Sequence, residues 1–391
     1  MHICHVINHF DIGSGYEEEL SAKYASKIGY KVTVLTTNIK IKTPGFSFAS
    51  RFKKPGIYLK DNIRIIRIPS FPLPLDLTPI PFGILVAKLI DADIYHIHGI
   101  RQPICISLVL LSKFLKIKCL IDTHDFEYTS HQAFYKGDNI LRKLAKIEFK
   151  YLRRNIGRFI LESNNYVLSW GKVCTLFLRE FYNYSGYVKE SFIGFDGTIF
   201  KPINKFQNYQ ENSRTFKLLF VGFLSERKKP ILLLKILEFL PDKFTLTIVG
   251  GGDDQSINEL KDFLVEKKLK GRVKIFYKLS QKKLSKKIQS HHLGIYPSSS
   301  SVSCSQIIGC GIPVMISSNQ KFSYLAKAIN LDINVEQIIS DEDLIRSFTK
   351  KIIEIEKQID LYKKNTINIR NEFSFQKSFN TLNNEYKKIL R

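Results

Sequence analysis

The sequence has no Cys-x-x-Cys pair and no cysteine and histidine cluster at zinc spacing. Its six cysteines, Cys4, Cys105, Cys119, Cys174, Cys304 and Cys310, are scattered over 391 residues. That argues against a disulfide scaffold and a structural metal, and is the pattern of buried thiols in a reducing compartment. Apolar runs of the roughly 20 residues a membrane span needs are missing too. The most apolar windows, Ile104 to Leu111 and Pro81 to Ile90, are bounded or broken by Lys113 and Lys88. The opening residues Met1 to Asn8 lack both the basic leader and the unbroken apolar stretch of a signal peptide, so a cytosolic chain is expected. There is no internal repeat and no low-complexity segment. Acidic residues are scarce beside basic ones, 36 against 60, which leaves a formal net charge of +24.

What is present is an ordinary globular composition, 44% hydrophobic and 25% charged, over a length that suits two or three domains. The charge attracts nucleic acid and anionic membranes alike. Its distribution favours a membrane surface over nucleic acid. The stretch Arg142 to Arg158 reads as a helix with Leu144, Ile147, Tyr151 and Leu152 on one stripe, flanked by Lys143, Lys146, Lys150, Arg153 and Arg154. Clusters at Arg51 to Lys54 and Lys113 to Lys118 lie in the same half of the chain. A solvated lysine-rich surface on a soluble enzyme is the competing reading.

Hydrophobic periodicity predicts alternating strands and helices, twice over, with a seam near 201–214. Strands are expected at His2 to Ile7, Lys31 to Thr36, Ile63 to Ile68, Ile94 to His98, Lys118 to Thr123, Arg158 to Glu162 and Lys189 to Gly194. The helices expected between them are Tyr16 to Ile28 and segments near 83–91, 104–116, 138–155 and 171–182. A polar linker, Lys201 to Arg214, precedes a second series of strands at Phe216 to Val221, Thr245 to Val249, Val273 to Phe276, Leu293 to Tyr296 and Pro313 to Ile316. The helices of that series fall at Pro230 to Leu240, Ser256 to Lys268, Gln281 to Gln289 and about 303–309. Amphipathic helices at 341–357 and 375–390 close the chain. This is an α/β protein with two Rossmann-like, doubly wound domains expected to face a cleft: residues 1–200, a linker 201–214, residues 215–372, and a C-terminal helix within 373–391 that returns to the first domain.

Ligands of such sheets bind beyond the carboxyl ends of the strands. There the second half places Val221-Gly-Phe-Leu-Ser-Glu-Arg-Lys-Lys-Pro230, with Arg227 and Lys228 between a strand and a helix start, a setting suited to a diphosphate. Gly250-Gly-Gly252 follows the next strand and permits close backbone approach, or simply turns the chain.

These pieces, taken in order, resemble the GT-B glycosyltransferases, and among them the retaining glycosyltransferase family 4 (group 1). The resemblance runs through Gly13-Ser-Gly-Tyr-Glu-Glu18, His96-Ile-His98, Thr123-His-Asp125, Ile193 to Pro202, Val221 to Lys228, Leu246 to Gly252, Tyr296-Pro-Ser298, Gly309-Cys-Gly-Ile-Pro-Val314 and Phe373-Ser-Phe375 with Tyr386. It implies transfer of a sugar from a nucleotide diphosphate sugar, held by the second domain, to an acceptor held by the first. Cations would stabilise the departing diphosphate. The family's Arg position is Phe223 here and its Lys position is Lys228, so Arg227 is the candidate for the missing charge. The family's paired glutamates fall on Ser298 and Gln306, neither a carboxylate. Gln306 and the serines Ser298, Ser303 and Ser305 are left as donor-binding candidates, beside a polar loop that binds nothing.

The resemblance further places His124 near the transferred sugar, with Asp125 beside it. His98 is a candidate at the acceptor or, as its position also suits, a packed core histidine. Gly13, Gly15, Gly222 and Gly250 are expected to let backbone approach the donor, whereas Glu17, Glu18 and Glu19 read as helix-start charges. Asp91-Ala-Asp93 has the spacing of a metal-binding pair but precedes its strand, so no metal is expected. Gly13-Ser-Gly15 lacks a third glycine, so NAD is not expected. The expected activity is hexosyl transfer to a glycan or lipid-linked acceptor, retaining and without a cofactor, by a peripheral protein on the cytosolic face of a membrane. A nucleotide-sugar epimerase of the same fold and a catalytically degenerate glycan- or membrane-binding relative remain as alternatives.

Overall fold

The computed structural model describes residues 1–40, 52–72, 79–81, 90–100, 102–115, 117–124, 151, 154–163, 166–203, 215–277, 279–318, 321–334 and 340–391. The chain divides into two compact units, Met1–Ile193 with Ser378–Arg391, and Gly194–Lys377. Most of the expected linker, residues 204–214, and the greater part of the expected helices near 83–91 and 138–155 lie outside the described residues.

The first unit runs β1 (His2–Ile7), α1 (Glu17–Lys27), β2 (Lys31–Thr37), β3 (Gly56–Lys60), β4 (Ile63–Ile68), β5 (Ser70–Pro72), β6 (Pro79–Pro81), β7 (Ile94–His98), α2 (Pro103–Leu115), β8 (Cys119–Thr123), α3 (Arg154–Glu162), β9 (Val167–Trp170), α4 (Lys172–Phe181) and β10 (Lys189–Ser191). Eight strands form one sheet in the order β10-β9-β8-β7-β1-β2-β4-β3. Every pairing is parallel except β3 with β4. The interior strands β1, β7 and β8 are buried along their whole length, as strands covered on both faces must be. Their side chains, with Leu108 and Val109 of α2 and Phe177 and Leu178 of α4, make one continuous apolar core.

Several elements differ from the expectation: β5, β6, β9, β16, α9 and α11 were not anticipated, and two further departures have a clear local cause. The segment expected as a strand at Arg158 to Glu162 is the helix α3, because Ile156 and Ile160 recur one turn apart rather than alternating, and Arg158 pairs with Glu162 across the next turn. Gly157 lies on its inner side, where a Cβ would come within 2.3 Å of the Tyr182 ring. The strand expected there is supplied by Val167–Trp170. The hairpin β3–β4 was not anticipated; its turn is Asp61-Asn62, with φ of 53° and 61°. Two polar residues at left-handed φ are the requirement of a two-residue hairpin turn.

The second unit runs β11 (Phe216–Val221), a 3-10 turn (Glu226–Lys228), α5 (Pro230–Glu238), β12 (Phe244–Val249), α6 (Asp254–Glu266), β13 (Val273–Phe276), α7 (Gln281–Gln289), β14 (Leu293–Tyr296), α8 (Ser303–Gly309), β15 (Val314–Ser317), α9 (Ser323–Lys327), β16 (Asp332–Ile333), α10 (Asp341–Lys357) and α11 (Ile359–Ile369). Its six strands are all parallel in the order β13-β12-β11-β14-β15-β16. Chain direction across the sheet reverses between β11 and β14, and in the first unit between β1 and β7. These are the switch points outside which doubly wound sheets hold ligands. The last helix, α12 (Phe375–Leu390), belongs to the first unit from Ser378 on. It is fixed there by Tyr30 Oη donating to Asn383 at 2.8 Å and by Ser378 bonded to Phe192.

Candidate functional site

In the second unit the switch point is built by the ends of β11 and β14. Lys228 lies in the 3-10 turn after β11 and is 6% exposed. Its Nζ stands over Gly222: a Cβ on that glycine would be 2.8 Å from Nζ and 3.5 Å from Ser301 Oγ. The same Nζ lies 5.7 Å from the centre of the Phe220 ring. An ammonium is thus held at the carboxyl end of the central strand, with the missing Gly222 side chain as its space. Arg227 occupies the same turn, and its side chain lies outside the described residues. Phe223, which the resemblance set against an arginine, is half-exposed.

Gly250 serves packing. It has φ +150°, and a Cβ there would lie 2.0 Å from the Gly222 carbonyl oxygen. The two strand-end loops therefore touch backbone to backbone, tied by the Gly222 N–H to the Val249 carbonyl at 2.9 Å.

The serine run divides. The Val221 carbonyl accepts from Tyr296 Oη at 2.9 Å, Ser301 Oγ at 3.2 Å and Ser303 Oγ at 2.5 Å, and Tyr296 and Ser303 lie 2.8 Å apart. Ser303, expected at the donor, is instead a buried clamp that fixes the start of α8 to the end of β11. Ser305 is fully buried and donates to the Val302 carbonyl at 2.7 Å, so its hydroxyl is turned into its own helix. Gln306 is buried, 3.4 Å from Gln281 Oε1. Ser298 is half-buried beyond β14 and has polar partners of its own.

In the first unit the loop after β1 carries Gly13 and Gly15, at φ +92° and +74°. Their amides do not point to open space. Gly13 N–H donates to Glu19 Oε1 at 2.6 Å and Gly15 N–H to Glu19 Oε2 at 2.6 Å, with Ser14 Oγ 3.0 Å from the same oxygen. The glutamate thus holds the loop from the first turn of α1. The three acidic residues expected only as helix-start charges have separate tasks: Glu17, buried, lies 3.0 Å from His124 Nδ1, and the Glu18 carboxyl is raised well above its usual range by burial and by Glu17. His124, directly after β8, is exposed. Asp125 lies outside the described residues. Lys53, from the basic cluster Arg51 to Lys54, and Arg67, which the sequence did not single out, flank this loop. Lys53 pairs with Asp11, and Arg67 Nη2 donates to the Phe10 carbonyl at 2.9 Å. Burial and Arg67 bring the Lys53 ammonium down to about 8.

His98 is not at a surface where an acceptor could meet it. It is buried, with Nδ1 2.8 Å from Asp122 Oδ2 and Nε2 2.9 Å from His5 Nδ1. The same oxygen receives Trp170 Nε1–H at 3.0 Å and lies 3.0 Å from His96 Nε2, while His96 Nδ1 is 2.7 Å from Tyr386 Oη. At these distances neither histidine nitrogen completes a well-formed hydrogen bond to that oxygen. Asp122 is held well below the usual carboxylate range: burial opposes this, and His98 and His96 outweigh it. An ionised carboxylate only accepts, so His98 and His96 turn N–H towards it; burial brings His96 down to about 4, and its Nδ1 is then the acceptor for the Tyr386 hydroxyl. Among the described residues His5, His96 and His98 are the group whose nitrogens lie close enough, within 4.8 Å, to share a metal ion. His5 Nδ1 and His98 Nε2 face each other, His96 Nδ1 faces Tyr386, and His96 Nε2 and His98 Nδ1 lie near Asp122. Asp91 and Asp93 bind His2 at the amino end of β1, as their place before β7 implies.

Residues 203–372 match the family described as glycosyl transferases group 1. No curated protein matches the sequence. In fold, the chain is similar to a sucrose-phosphate synthase from Thermosynechococcus elongatus, with TM-score 0.72 at 16% identity over 99% of this chain and 98% of that one. It is similar also to the Anabaena protein HepE in complex with UDP, TM-score 0.71 at 14% identity over 99% and 100%. A glycosyltransferase from Rickettsia africae gives TM-score 0.70 at 18% identity over 100% and 98%. The chain has the GT-B fold of these glycosyltransferases, and the group 1 match is confined to its segment 203–372.

Proposed function

We propose that the protein transfers a hexosyl group from a nucleotide diphosphate sugar to a glycan or lipid-linked acceptor, with retention and without a metal. The second unit holds the donor and the first the acceptor. The observation that carries this reading is the buried Lys228 ammonium over Gly222 at the end of β11, at the switch point of its sheet. A glycosyl transition state resembles an oxocarbenium ion parting from its leaving group. The negative charge grows on the diphosphate as that bond lengthens, and a fixed cation there stabilises the transition state more than the ground state. Arg227, in the same turn, adds a second charge. His124, exposed after β8 and oriented by Glu17, contacts the sugar being transferred.

Proteins similar in fold support the donor class: HepE is described in complex with UDP-glucose as well as UDP. The basic sequence clusters of the first half suit an anionic membrane surface on the cytosolic side, with Lys53 excepted because it is committed to Asp11. None of the helices among the described residues is long and apolar enough to cross a membrane.

The test is nucleotide release from UDP-glucose and related donors in EDTA, with and without lipid-linked and oligosaccharide acceptors. Acceptor-dependent release that falls with Lys228→Ala supports the reading. Donor binding without release under any acceptor would favour a degenerate relative, which Gln306 and Ser298 at the family's glutamate positions make the specific alternative. Epimerised donor without acceptor would identify an epimerase.

A further inference from the structure

The first unit carries a second concave site whose residues take no part in the chemistry above. It is a cleft of about 300 Å³ lined by Lys189 of β10 and by Thr381, Asn384, Lys387 and Arg391 of the C-terminal segment, with the pair Glu385–Lys388. Lys189 opens its strand, and Lys118, whose Nζ donates to the Leu390 carbonyl at 3.3 Å, immediately precedes β8. In a parallel sheet the first residues of all strands lie on one edge. This cleft is therefore at the amino edge of the sheet, whereas His124 and the glycine loop are at the carboxyl edge.

Its charges are unbalanced. Lys388 is paired at 2.7 Å with Glu385, which is 1% exposed, and its Nζ lies 5.8 Å from the Tyr187 ring. That pair is neutral. Lys189, Lys387 and Arg391 have no ion-pair or hydrogen-bond partner among the described residues, and neither do the Thr381 hydroxyl and the Asn384 amide. Three cationic side chains and two neutral donors thus share one concavity. Lysines near a helix C-terminus are ordinary where they complement its dipole. Lys189 comes from a strand nearly two hundred positions away, and with Arg391 it exceeds the half charge a helix end supplies. We propose that this cleft binds a phosphate group, in a free phosphate or at the head of a lipid, at a site separate from the donor site. Cations of this kind with neutral donors between them match an anion that offers several acceptor oxygens.

The experiment uses the full chain. Binding of inorganic phosphate is measured by calorimetry, and co-sedimentation is measured with phosphatidylcholine vesicles carrying phosphatidic acid and with phosphatidylcholine vesicles alone. Lys387→Ser with Arg391→Ser is compared with wild type, with Lys189→Ser as an independent variant from another element and Lys228→Ala as the control for the donor site. These cleft side chains face water, so unchanged melting temperatures are expected. Phosphate binding that weakens at least tenfold in the cleft variants and survives Lys228→Ala supports the site with a free ligand. Binding only to phosphatidic acid vesicles, lost in the cleft variants, supports it with a lipid headgroup. Equal binding by wild type and cleft variants, or loss only with Lys228→Ala, overturns it. Failure of the transfer assay would leave these outcomes unchanged.

Discussion

The Nζ of Lys228 occupies the space that a side chain on Gly222 would fill, with 2.8 Å between Nζ and the position of that missing Cβ. The glycine and the cation therefore form one device, and changing either disturbs the same charge. Gly222→Ala meets only the flexible end of a lysine, so folding is retained while the ammonium shifts. A shift of about 1 Å near a reacting group costs up to roughly a hundredfold in rate. Gly222→Ala is expected to lower kcat/KM between tenfold and that limit, and Lys228→Ala to lower kcat about 10²–10³-fold. Steady-state kinetics checks both; unchanged kinetics in either would remove Lys228 from the diphosphate.

Ser303 should behave as a structural residue. Its hydroxyl caps the Val221 carbonyl, which retains Tyr296 and Ser301 when Ser303 becomes alanine. Loss of one such bond costs about 1 kcal/mol. Ser303→Ala is expected to lower the melting temperature slightly and leave the donor KM within twofold of wild type, roughly the resolution of 0.4 kcal/mol. A large rise in KM would return Ser303 to the donor.

Tyr386 of α12 supplies the proton that satisfies His96 Nδ1 in the core of the first unit. Tyr386→Phe keeps the ring and leaves that nitrogen unpaired, which costs about 1–3 kcal/mol. Chemical denaturation should show a loss in that range, and no loss would mean that the tyrosine hydroxyl is not bonded to His96.

Stability should fall in mild acid. Burial, with nearby cations in the second unit, lowers His96 and His291 to about 4 and His292 to about 3, against 6.5 for a free imidazole. Between those values the unfolded chain binds protons that the folded chain refuses, so stability is complete above pH 6.5 and is lost as pH falls towards 4. His292 accepts the Lys217 N–H at Nδ1, a bond that protonation destroys. His292→Asn preserves an acceptor and cannot titrate. Its melting temperature should therefore decline less steeply than that of wild type from pH 6.5 to 4, and parallel slopes would contradict the assignment.

Much of this was readable from residues. Most parallel strands of both sheets, though not β9 or β16, were legible because strands buried on both faces are short apolar runs between turn signals, and α10 and α12 because their apolar stripes are long. Arg158 to Glu162 was misread because a short run with Phe159, Ile160 and Leu161 adjacent fits either period, and only packing of Gly157 on Tyr182 decides it. The position of Lys228 was legible from its place after a strand. The direction of a hydroxyl was not: Ser303 and Ser305 look equally available in sequence, yet one turns to Val221 and the other to Val302. Likewise nothing local to Gly13 or Gly15 announces that their amides bind Glu19.

The most direct test is the melting temperature of the full chain with UDP, UDP-glucose and other nucleotide diphosphates, all in EDTA, for wild type and Lys228→Ala. A ligand that binds only the folded state at one hundred times its Kd adds about 2.7 kcal/mol. A rise for one nucleotide in wild type, absent in Lys228→Ala, is the expected result. No rise with any nucleotide, or an equal rise in both proteins, would contradict a donor site built on Lys228.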